Sequence, residues 1–524
     1  MAEISRRSAL TLLGAGALAA GAAAAANAEL TGASAPEPAP GPDNPVRVEN
    51  RLPGSADWRI GAGGTVSSDD LGRQIKGYAS ATSVNIGDSV DFHVSTDPAR
   101  AFTVSVYRLG HYAGAGARRV AGSPWLPGRT QPAPVTDHPT GTISCRWGVS
   151  WTLNVPRTWT AGMYLAALTA DSGHRSFVPF VVRDDARRAD FLVILPFSTY
   201  QAYNQWPLDG KVGKSLYYGY GHDGNPNAAG SEAGSVRTDV HGAPIAYRTR
   251  ARRVSFARPY SAVGLPQRAD LDYEFLQWAE RSGYDLSYAT SVDLHDGRIN
   301  TSQYSALIFS GHDEYWSRAM RDTVASAVES GTHAAFIAAN NVYWHVRFEP
   351  DAQGRGSRLM TCWKSDPDPQ ADASGPTCLW RTIDPHGAHA EQSLIGVQYN
   401  GIPKAEMPLV VSGADHWFWA GTGVVDGETI PRIVGGEADG FDAGAPKPKA
   451  ARHTMLSASH FMAQGGSNWP RIQHTSLYET PRGALVFGAA TFNWSLGLNR
   501  PGYVDARIQR ATANLFSRLR QRVA

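Results

Sequence analysis

The chain has 524 residues, of which 42% are hydrophobic and 18% charged, and 49 basic against 47 acidic side chains leave a net charge of +2. This balance excludes a disordered chain and a nucleic-acid binder that relies on a basic surface, because no excess of one charge is available to bind phosphate. At about 150 residues per domain the length allows roughly two to four domains, each able to bury a core.

The amino terminus is typical of an export signal. The pair Arg6-Arg7 precedes a Leu/Ala/Gly-rich stretch over residues 9–26, and Ala26-Asn27-Ala28 fits a small-x-small cleavage site. Paired arginines before a weakly hydrophobic stretch indicate the twin-arginine pathway, with a Sec leader or an uncleaved anchor as alternatives. We predict a signal peptide over residues 1–28 and a secreted or periplasmic product without a membrane span, because no later stretch offers about 18 apolar residues without charge.

The next part of the chain changes from linker to strand-rich sequence. Residues 29–58 form a predicted linker whose first part is rich in Pro and Ala. Apolar and polar residues then alternate in short runs such as 90–94 and 102–107, separated by polar turns. This pattern predicts an Ig-like β-sandwich domain over residues 59–184.

From residue 185 onward the pattern predicts alternating strands and helices. Three continuous apolar runs are typical of buried parallel strands: residues 191–195, 306–309 and 334–337. A helix is predicted over 271–281 with Asp270 as its N-cap, and another over 318–329, where Met320, Val324 and Val328 recur every four residues. We therefore predict a doubly wound α/β domain over residues 185–524.

Polar side chains follow each of these apolar runs, and a fourth segment over residues 214–222 is expected to flank them. The clusters contain Tyr200, Tyr203 and Asn204; His312, Asp313, Glu314 and Tyr315; Asn340, Asn341 and His345; and, in the fourth segment, Tyr217 and Tyr218. Because ligands bind outside the carboxyl ends of strands in open α/β sheets, the clusters predict one shared site. Taken singly, each also fits a structural role as an aromatic face, a helix cap or a turn.

Several chemistries lack their motif in this sequence. There is no GxSxG, HExxH, Walker loop or GxGxxG after a strand. The three cysteines, Cys145, Cys362 and Cys378, include no CxxC pair, which argues against structural zinc. In an oxidising compartment we expect Cys362 and Cys378 to form a disulfide that closes a loop with little core of its own. A metal or acid/base site made of Tyr, Glu, His and Asn remains.

Six motifs give the chain a specific resemblance. They are KGYASATSVNIGDSVDFHVST (76–96), VYRLGHYAGAGAR (106–118), TYQAYN, SLYY, GHDEYW and AANNVYW. At these motifs the sequence resembles the large (beta) subunit family of N,N-dimethylformamidase. The resemblance implies an amidase with mononuclear ferric iron, and a catalytic domain that resembles class I glutamine amidotransferases without their cysteine.

The resemblance also implies roles for particular residues. In GHDEYW, Glu314 takes the place of the carboxylate ligand and His312 that of the catalytic histidine, and Asn340 matches the asparagine after the next strand. Two tyrosine ligands fall on Tyr203 and Tyr217, with Tyr200 and Tyr218 as alternatives. The implied sets are His312, Glu314 and Asn340 for catalysis, and Tyr203, Tyr217 and Glu314 for iron.

The expected function is an exported, iron-dependent hydrolase of a small, N-substituted amide. Its partner is the small-molecule substrate rather than a nucleic acid or a membrane, and a homo-oligomer or a small subunit is left open. The alternative is a non-catalytic envelope or carbohydrate-binding protein on the same fold. Phenolate and carboxylate oxygens are hard donors suited to ferric iron, so the iron content of the purified protein separates the two hypotheses.

Overall fold

The computed structural model describes residues 43–137, 139–208, 214–217, 250–364, 366–384, 386–464 and 470–523, so the predicted signal peptide lies outside the described residues. The fold is mixed α/β, with many strands and few helices. The chain divides into two compact units. Among the described residues, the first contains 50–182 and 200–273, and the second contains 43–49, 183–199 and 274–523.

The first unit contains two main β-sheets. The larger has Val66–Ser67, His174–Arg183, Gly162–Ala170, Phe102–Leu109 and Ala117–Gly122 in this order, with Ser83–Asn85 beside His174–Arg183. The smaller has Lys76–Ala79, Ser89–Ser95 and Trp151–Asn154, and a hairpin joins Val135–Asp137 to Thr142–Ser144. The strand Arg253–Ser255 and the short 3₁₀ turns Ala62–Gly64 and Tyr112–Gly114 also belong to this unit.

One apolar core lies between these two sheets. Val90, Phe92 and Val94 of the smaller sheet share it with Val104 and Val106 of the larger one, and none of the five is more than 1% exposed. Alternate residues over 90–94 and 102–106 are therefore apolar and buried, as the alternation in the sequence predicts. This two-sheet arrangement positions the unit's loops at the ends of the strands.

Residues 200–273 cluster with the first unit, although the sequence placed them in the α/β domain. The Asn204 side chain donates a hydrogen bond from Nδ2 to the Pro259 carbonyl at 2.9 Å. Trp206 packs in a small buried cluster with Tyr78 and with Trp147, whose ring lies 6.0 Å away edge-on. Because these contacts join segments far apart in sequence, the strand and helix pattern did not reveal them.

The second unit is built on a seven-stranded sheet. Its order is Leu286–Thr290, Ala189–Leu195, Tyr304–Phe309, His333–Phe336, Leu485–Gly488, Ser476–Glu479 and Arg452–Met455. The first five strands are parallel, and the last two pair antiparallel. All three predicted apolar runs lie in adjacent parallel strands, so the carboxyl ends of these strands meet at one edge of the sheet.

The helices that lie wholly or partly in the second unit are mostly short. They are Pro45–Asn50, Phe197–Tyr203, Ala269–Arg281, Ser291–His295, Arg318–Glu329, Gln392–Ile395, Asn493–Asn499 and Ala506–Leu519, with 3₁₀ turns at Thr301–Gln303, Trp380–Thr382 and Trp417–Trp419. Helix Arg318–Glu329 begins where predicted, because the Ser317 hydroxyl accepts a hydrogen bond from the Met320 amide at 3.3 Å. The other predicted helix begins at Ala269, so Asp270 lies in its first turn and is not its N-cap.

Smaller strands complete the second unit. Tyr315–Ser317 pairs in parallel with Trp344–Glu349, which pairs antiparallel with Leu359–Thr361. Three hairpin-like pairs join Gln398–Gly401 to Ala438–Gly440, Met407–Val410 to Thr429–Val434, and Ser459–Met462 to Pro470–Gln473. Within the described part of the chain, none of the helices has both the length and the apolarity needed to cross a bilayer.

The predicted disulfide between Cys362 and Cys378 is wrong in this structure, where neither cysteine is part of a disulfide. The loop between them is instead held by the buried carboxylate of Asp368. It forms an ion pair with Arg347 at 3.1 Å and accepts a hydrogen bond from the Thr377 hydroxyl at 2.8 Å. A loop with little apolar core is thus ordered by charge-assisted hydrogen bonds, which the sequence argument did not consider.

Candidate functional site

The loop that carries the GHDEYW motif is held at the sheet edge by a threonine from the neighbouring strand's loop. The Thr199 hydroxyl oxygen accepts hydrogen bonds from the backbone amides of Glu314, at 2.9 Å, and Tyr315, at 3.2 Å. Thr199 lies in helix Phe197–Tyr203, directly after strand Ala189–Leu195. The backbone that presents Glu314 is therefore fixed before any ligand arrives.

His312 lies between two carboxylates. Its Nε2 atom is 3.5 Å from Oε2 of Glu314 and 3.5 Å from Oε2 of Glu437. The side chains are 3%, 2% and 10% exposed in the order His312, Glu314 and Glu437, and the ring of Phe492 lies 4.7 Å from the imidazole. A buried imidazole with two carboxylates at one nitrogen can pass a proton between them, which is the arrangement that acid/base chemistry requires.

The asparagine loop runs beside the histidine loop. The Asp313 amide donates to Oδ1 of Asn341 at 3.0 Å, and the Val342 amide donates to the Asp313 carbonyl at 2.9 Å. Asn340 itself is buried, and its Oδ1 atom has no hydrogen-bond partner among the described residues. Because buried polar atoms are normally hydrogen-bonded, Oδ1 of the Asn340 side chain is an acceptor that a donor on a bound ligand could satisfy.

Tyr203 and Tyr217 come together in the first unit. Their ring centroids are 4.4 Å apart and the rings are inclined by 34°. The segment that carries Tyr217 is fixed beside the helix end, since the Leu216 amide and the Ser215 hydroxyl both donate to the Ala202 carbonyl, at 2.9 and 2.8 Å. The two tyrosines that the resemblance implies as ligands therefore have neighbouring rings.

Tyr200 and Tyr218 are the alternative tyrosine ligands, and only Tyr200 lies among the described residues. Tyr200 is fully buried and its hydroxyl donates to the Asp272 carboxylate at 2.6 Å. Burial, together with the negative charge of Asp272, raises the pKa of Tyr200 well above its usual value, so its phenol stays protonated and is used within the unit. Tyr218 lies outside the described residues.

The predicted site residues thus form two groups, each in its own unit. Tyr203 and Tyr217 belong to the first unit, and His312, Glu314 and Asn340 belong to the second. Among the described residues, no cluster of three or more His, Cys, Asp or Glu side chains could hold a metal ion. Phenol and carboxylate oxygens are both hard donors of the kind that ferric iron prefers.

Four further residues of the site neighbourhood were missed by the sequence analysis. They are Thr199, Glu437, Asp439 and Lys364. Lys364 is buried, has a left-handed backbone (φ 59°), and donates from Nζ to the Tyr315 hydroxyl at 2.9 Å, above the Trp344 ring. Thr199 is the first residue of the TYQAYN motif, of which only the later residues were considered, and the other three lie in none of the motifs used. Glu437 and Asp439 follow a Gly-Gly pair, which signals only a turn.

Comparison with known proteins places this site within a described family. The family described as "N,N-dimethylformamidase beta subunit-like, C-terminal" matches residues 103–507, which include every candidate site residue above. Two relatives are N,N-dimethylformamidase beta subunits, from Paracoccus aminophilus and from an Alcaligenes species. The first is 23% identical over 426 residues, covering 71% of this chain and 54% of that protein. The second is 24% identical over 243 residues, covering 43% of this chain and 31% of that protein.

This chain therefore spans about half the length of the first relative and about a third of the second. Among solved structures, a Paenibacillus cycloisomaltooligosaccharide glucanotransferase aligns over 78% of this chain and 68% of its own, with 9% identity and a TM-score of 0.16. A Pseudomonas fluorescens alkylpurine DNA glycosylase aligns over 21% of this chain and 30% of its own, with 10% identity and a TM-score of 0.14. TM-scores this low carry no argument about the fold.

Proposed function

The chain belongs to the N,N-dimethylformamidase beta subunit-like family, which matches residues 103–507, and from this membership we propose that the protein is an amide hydrolase. The observation that carries the proposal is the buried imidazole of His312 with Glu314 and Glu437 each 3.5 Å from its Nε2 atom. Amide hydrolysis requires that a proton reach the leaving nitrogen, and an imidazole in this position can transfer that proton. The proposed substrate is a small amide that carries substituents on nitrogen.

The proposed reaction needs two proton transfers. Water adds to the carbonyl carbon and loses a proton, and the C–N bond then breaks as the nitrogen gains one. Glu437 accepts the proton that water loses, and His312 donates the proton that the leaving amine gains. His312 can be reprotonated from Glu437 because Nε2 and Oε2 are already within 3.5 Å. Asn340 donates from its side-chain amide to the substrate oxygen and so orients the carbonyl.

We also propose that Tyr203, Tyr217 and Glu314 bind a mononuclear ferric iron. The adjacent phenols and the buried carboxylate support this assignment, because they are hard oxygen donors. The Asp272 hydrogen bond that occupies Tyr200 favours Tyr203 over Tyr200 as a ligand. Bound iron would supply a Lewis acid that polarises the amide carbonyl and acidifies a water molecule.

Three finer assignments complete the proposal. They are export by the twin-arginine route with an extracytoplasmic product, an Ig-like topology for the two-sheet unit, and an amidotransferase-like topology for the seven-stranded unit. The alternative of a non-catalytic or carbohydrate-binding protein would use the site aromatics as an exposed binding face. Tyr203 is only 7% exposed and Tyr200 2%, so neither offers such a face.

Release of free amine tests the function. The purified protein is incubated with a panel of N-methylated and N,N-dimethylated formamides and acetamides, and the amine is quantified. We expect His312→Ala to lower the rate by about 10²-fold or more, the scale of general acid/base help. The exposed His386 supplies the matched control, since His386→Ala changes the same residue type away from the site. Equal rates for both variants would contradict the role of His312.

A further inference from the structure

Asp439 is a buried acid beside the candidate site that the proposed reaction does not use. It lies in strand Ala438–Gly440 and is 2% exposed. Its Oδ1 atom accepts a hydrogen bond from the backbone amide of Asn340 at 2.8 Å. Its own backbone amide donates to the Ala490 carbonyl at 3.0 Å, so the acid is fixed to the strand layer beneath the asparagine loop.

The loop that Asp439 contacts has a left-handed backbone at two residues. Asn340 has φ 52°, which asparagine tolerates, and Val342 has φ 57°, which a β-branched residue rarely adopts. Such conformations persist only where the surrounding structure holds them, and they occur most often at functional sites. A hydrogen bond to the Asn340 amide is a direct means of holding this conformation, and the direction of the Asn340 side chain depends on it.

Other charged groups face Asp439 without pairing with it. Glu391 is fully buried in an ion pair with Arg381 at 2.7 Å, and both act electrostatically on Asp439. The His474 amide donates to the Asp439 carbonyl at 3.1 Å, while its imidazole accepts from the Phe441 amide at 3.2 Å. Glu437 lies two residues along the chain, so the local charge is predominantly negative.

This environment makes ionisation of Asp439 costly. Burial raises the pKa of Asp439 to about 7; Glu391 acts in the same direction, while the Asn340 amide and Arg381 oppose it. A carboxylate accepts a stronger hydrogen bond from an amide than a neutral acid does, roughly twofold in strength. The hydrogen bond from the Asn340 backbone amide to Asp439 is therefore stronger when Asp439 is ionised.

We propose that Asp439 is a positioning residue that holds Asn340 toward the substrate through the Asn340 backbone amide and loosens that hold when the carboxylate is protonated. The proposal rests on the proposed function, because Asn340 is the residue assigned there to the substrate oxygen. It predicts that activity contains a pH-dependent step that belongs to Asp439 and acts only through Asn340.

The test measures kcat and KM for amine release between pH 5.5 and 8.5. Asp439→Asn keeps the shape of the Asp439 side chain but is neutral at every pH. We therefore expect its kcat to match that of wild type within about twofold at pH 6, and to be lower by about three- to tenfold at pH 8, where the wild-type carboxylate is ionised. Asp439→Ala should lower kcat further at both pH values with KM within about threefold. Asp442→Asn, three residues along, is the matched control and should follow the wild-type profile.

The Asn340→Ala background separates positioning from general damage. If Asp439 acts through Asn340, adding Asp439→Asn to Asn340→Ala should change kcat by less than about twofold at pH 8. A full effect in that background, or parallel pH profiles for wild type and Asp439→Asn, would overturn the proposal. A purely structural role would instead lower the amount of folded protein without changing the profile.

A second measurement does not depend on amide hydrolysis. Hydrogen exchange of the Asn340 amide, resolved to single residues by mass spectrometry, should be at least tenfold faster in Asp439→Ala than in wild type or Asp442→Asn. Unchanged exchange would refute the contact itself. If wild type releases no amine from any substrate, the proposed function fails, and the exchange result alone then decides whether Asp439 holds Asn340.

Discussion

Replacing Thr199 by Val tests whether the Glu314 loop is held as the structure indicates. Valine keeps the branched shape but removes the hydroxyl to which the Glu314 and Tyr315 amides donate at 2.9 and 3.2 Å. Depriving a buried donor of its acceptor costs about 1–3 kcal/mol. If the longer bond, to the Tyr315 amide, is counted at about 1 kcal/mol and the shorter one at about 1–3 kcal/mol, we expect the free energy of unfolding to fall by about 2–4 kcal/mol.

Thr199→Ser is the matched control, because it keeps the hydroxyl and loses only a methyl group, at a cost of about 1 kcal/mol. Unfolding in urea, followed by tryptophan fluorescence, should give a lower midpoint for the Val variant with an unchanged slope. Amine release should also fall, by about 10²-fold, because small displacements of reacting groups have effects of that size. If the Val variant is no less stable than the Ser variant, the hydroxyl does not hold the loop and the reasoning is wrong.

Four further predictions concern the proposed ligands, the buried acid and export. Glu314→Gln should lower bound iron and activity together, whereas His312→Ala should lose activity and keep its iron; loss of iron from both would contradict the division of roles. Tyr203→Phe and Tyr217→Phe should each shift or abolish a visible phenolate-to-iron band, and a colourless wild-type protein would exclude ferric phenolate binding. The pKa of Asp439 rises from 3.8 to about 7 on folding, so between these pH values the folded state holds a proton that the unfolded chain has released. The free energy of unfolding therefore falls as the pH rises through this window, and Asp439→Asn should remove that fall in thermal melts between pH 5 and 8. Changing Arg6 and Arg7 together to Lys should trap the precursor inside the cell, whereas unimpaired secretion would point to the Sec route.

Local sequence patterns were sufficient for three of the parallel strands and for one part of the candidate site. The continuous apolar runs at 191–195, 306–309 and 334–337 predicted buried parallel strands, and these runs do lie in adjacent strands. A strand that is buried on both faces appears in the sequence as a continuous apolar run, because side chains on both of its faces must be apolar. His312 and Glu314 lie two residues apart in one motif, so their proximity needed no long-range information.

Only the tertiary structure brought Glu437 to His312 and Asp439 to Asn340. These pairs are separated by 125 and 99 residues, as their numbering gives, and the Gly-Gly pair before them indicates only a turn. It also decided that residues 200–273 pack with the first unit, that Asp270 lies inside its helix, and that Cys362 and Cys378 form no disulfide. Each of these outcomes depends on contacts between distant segments. A residue pattern determines which face of a strand or helix is buried, but not which distant side chain packs against that face.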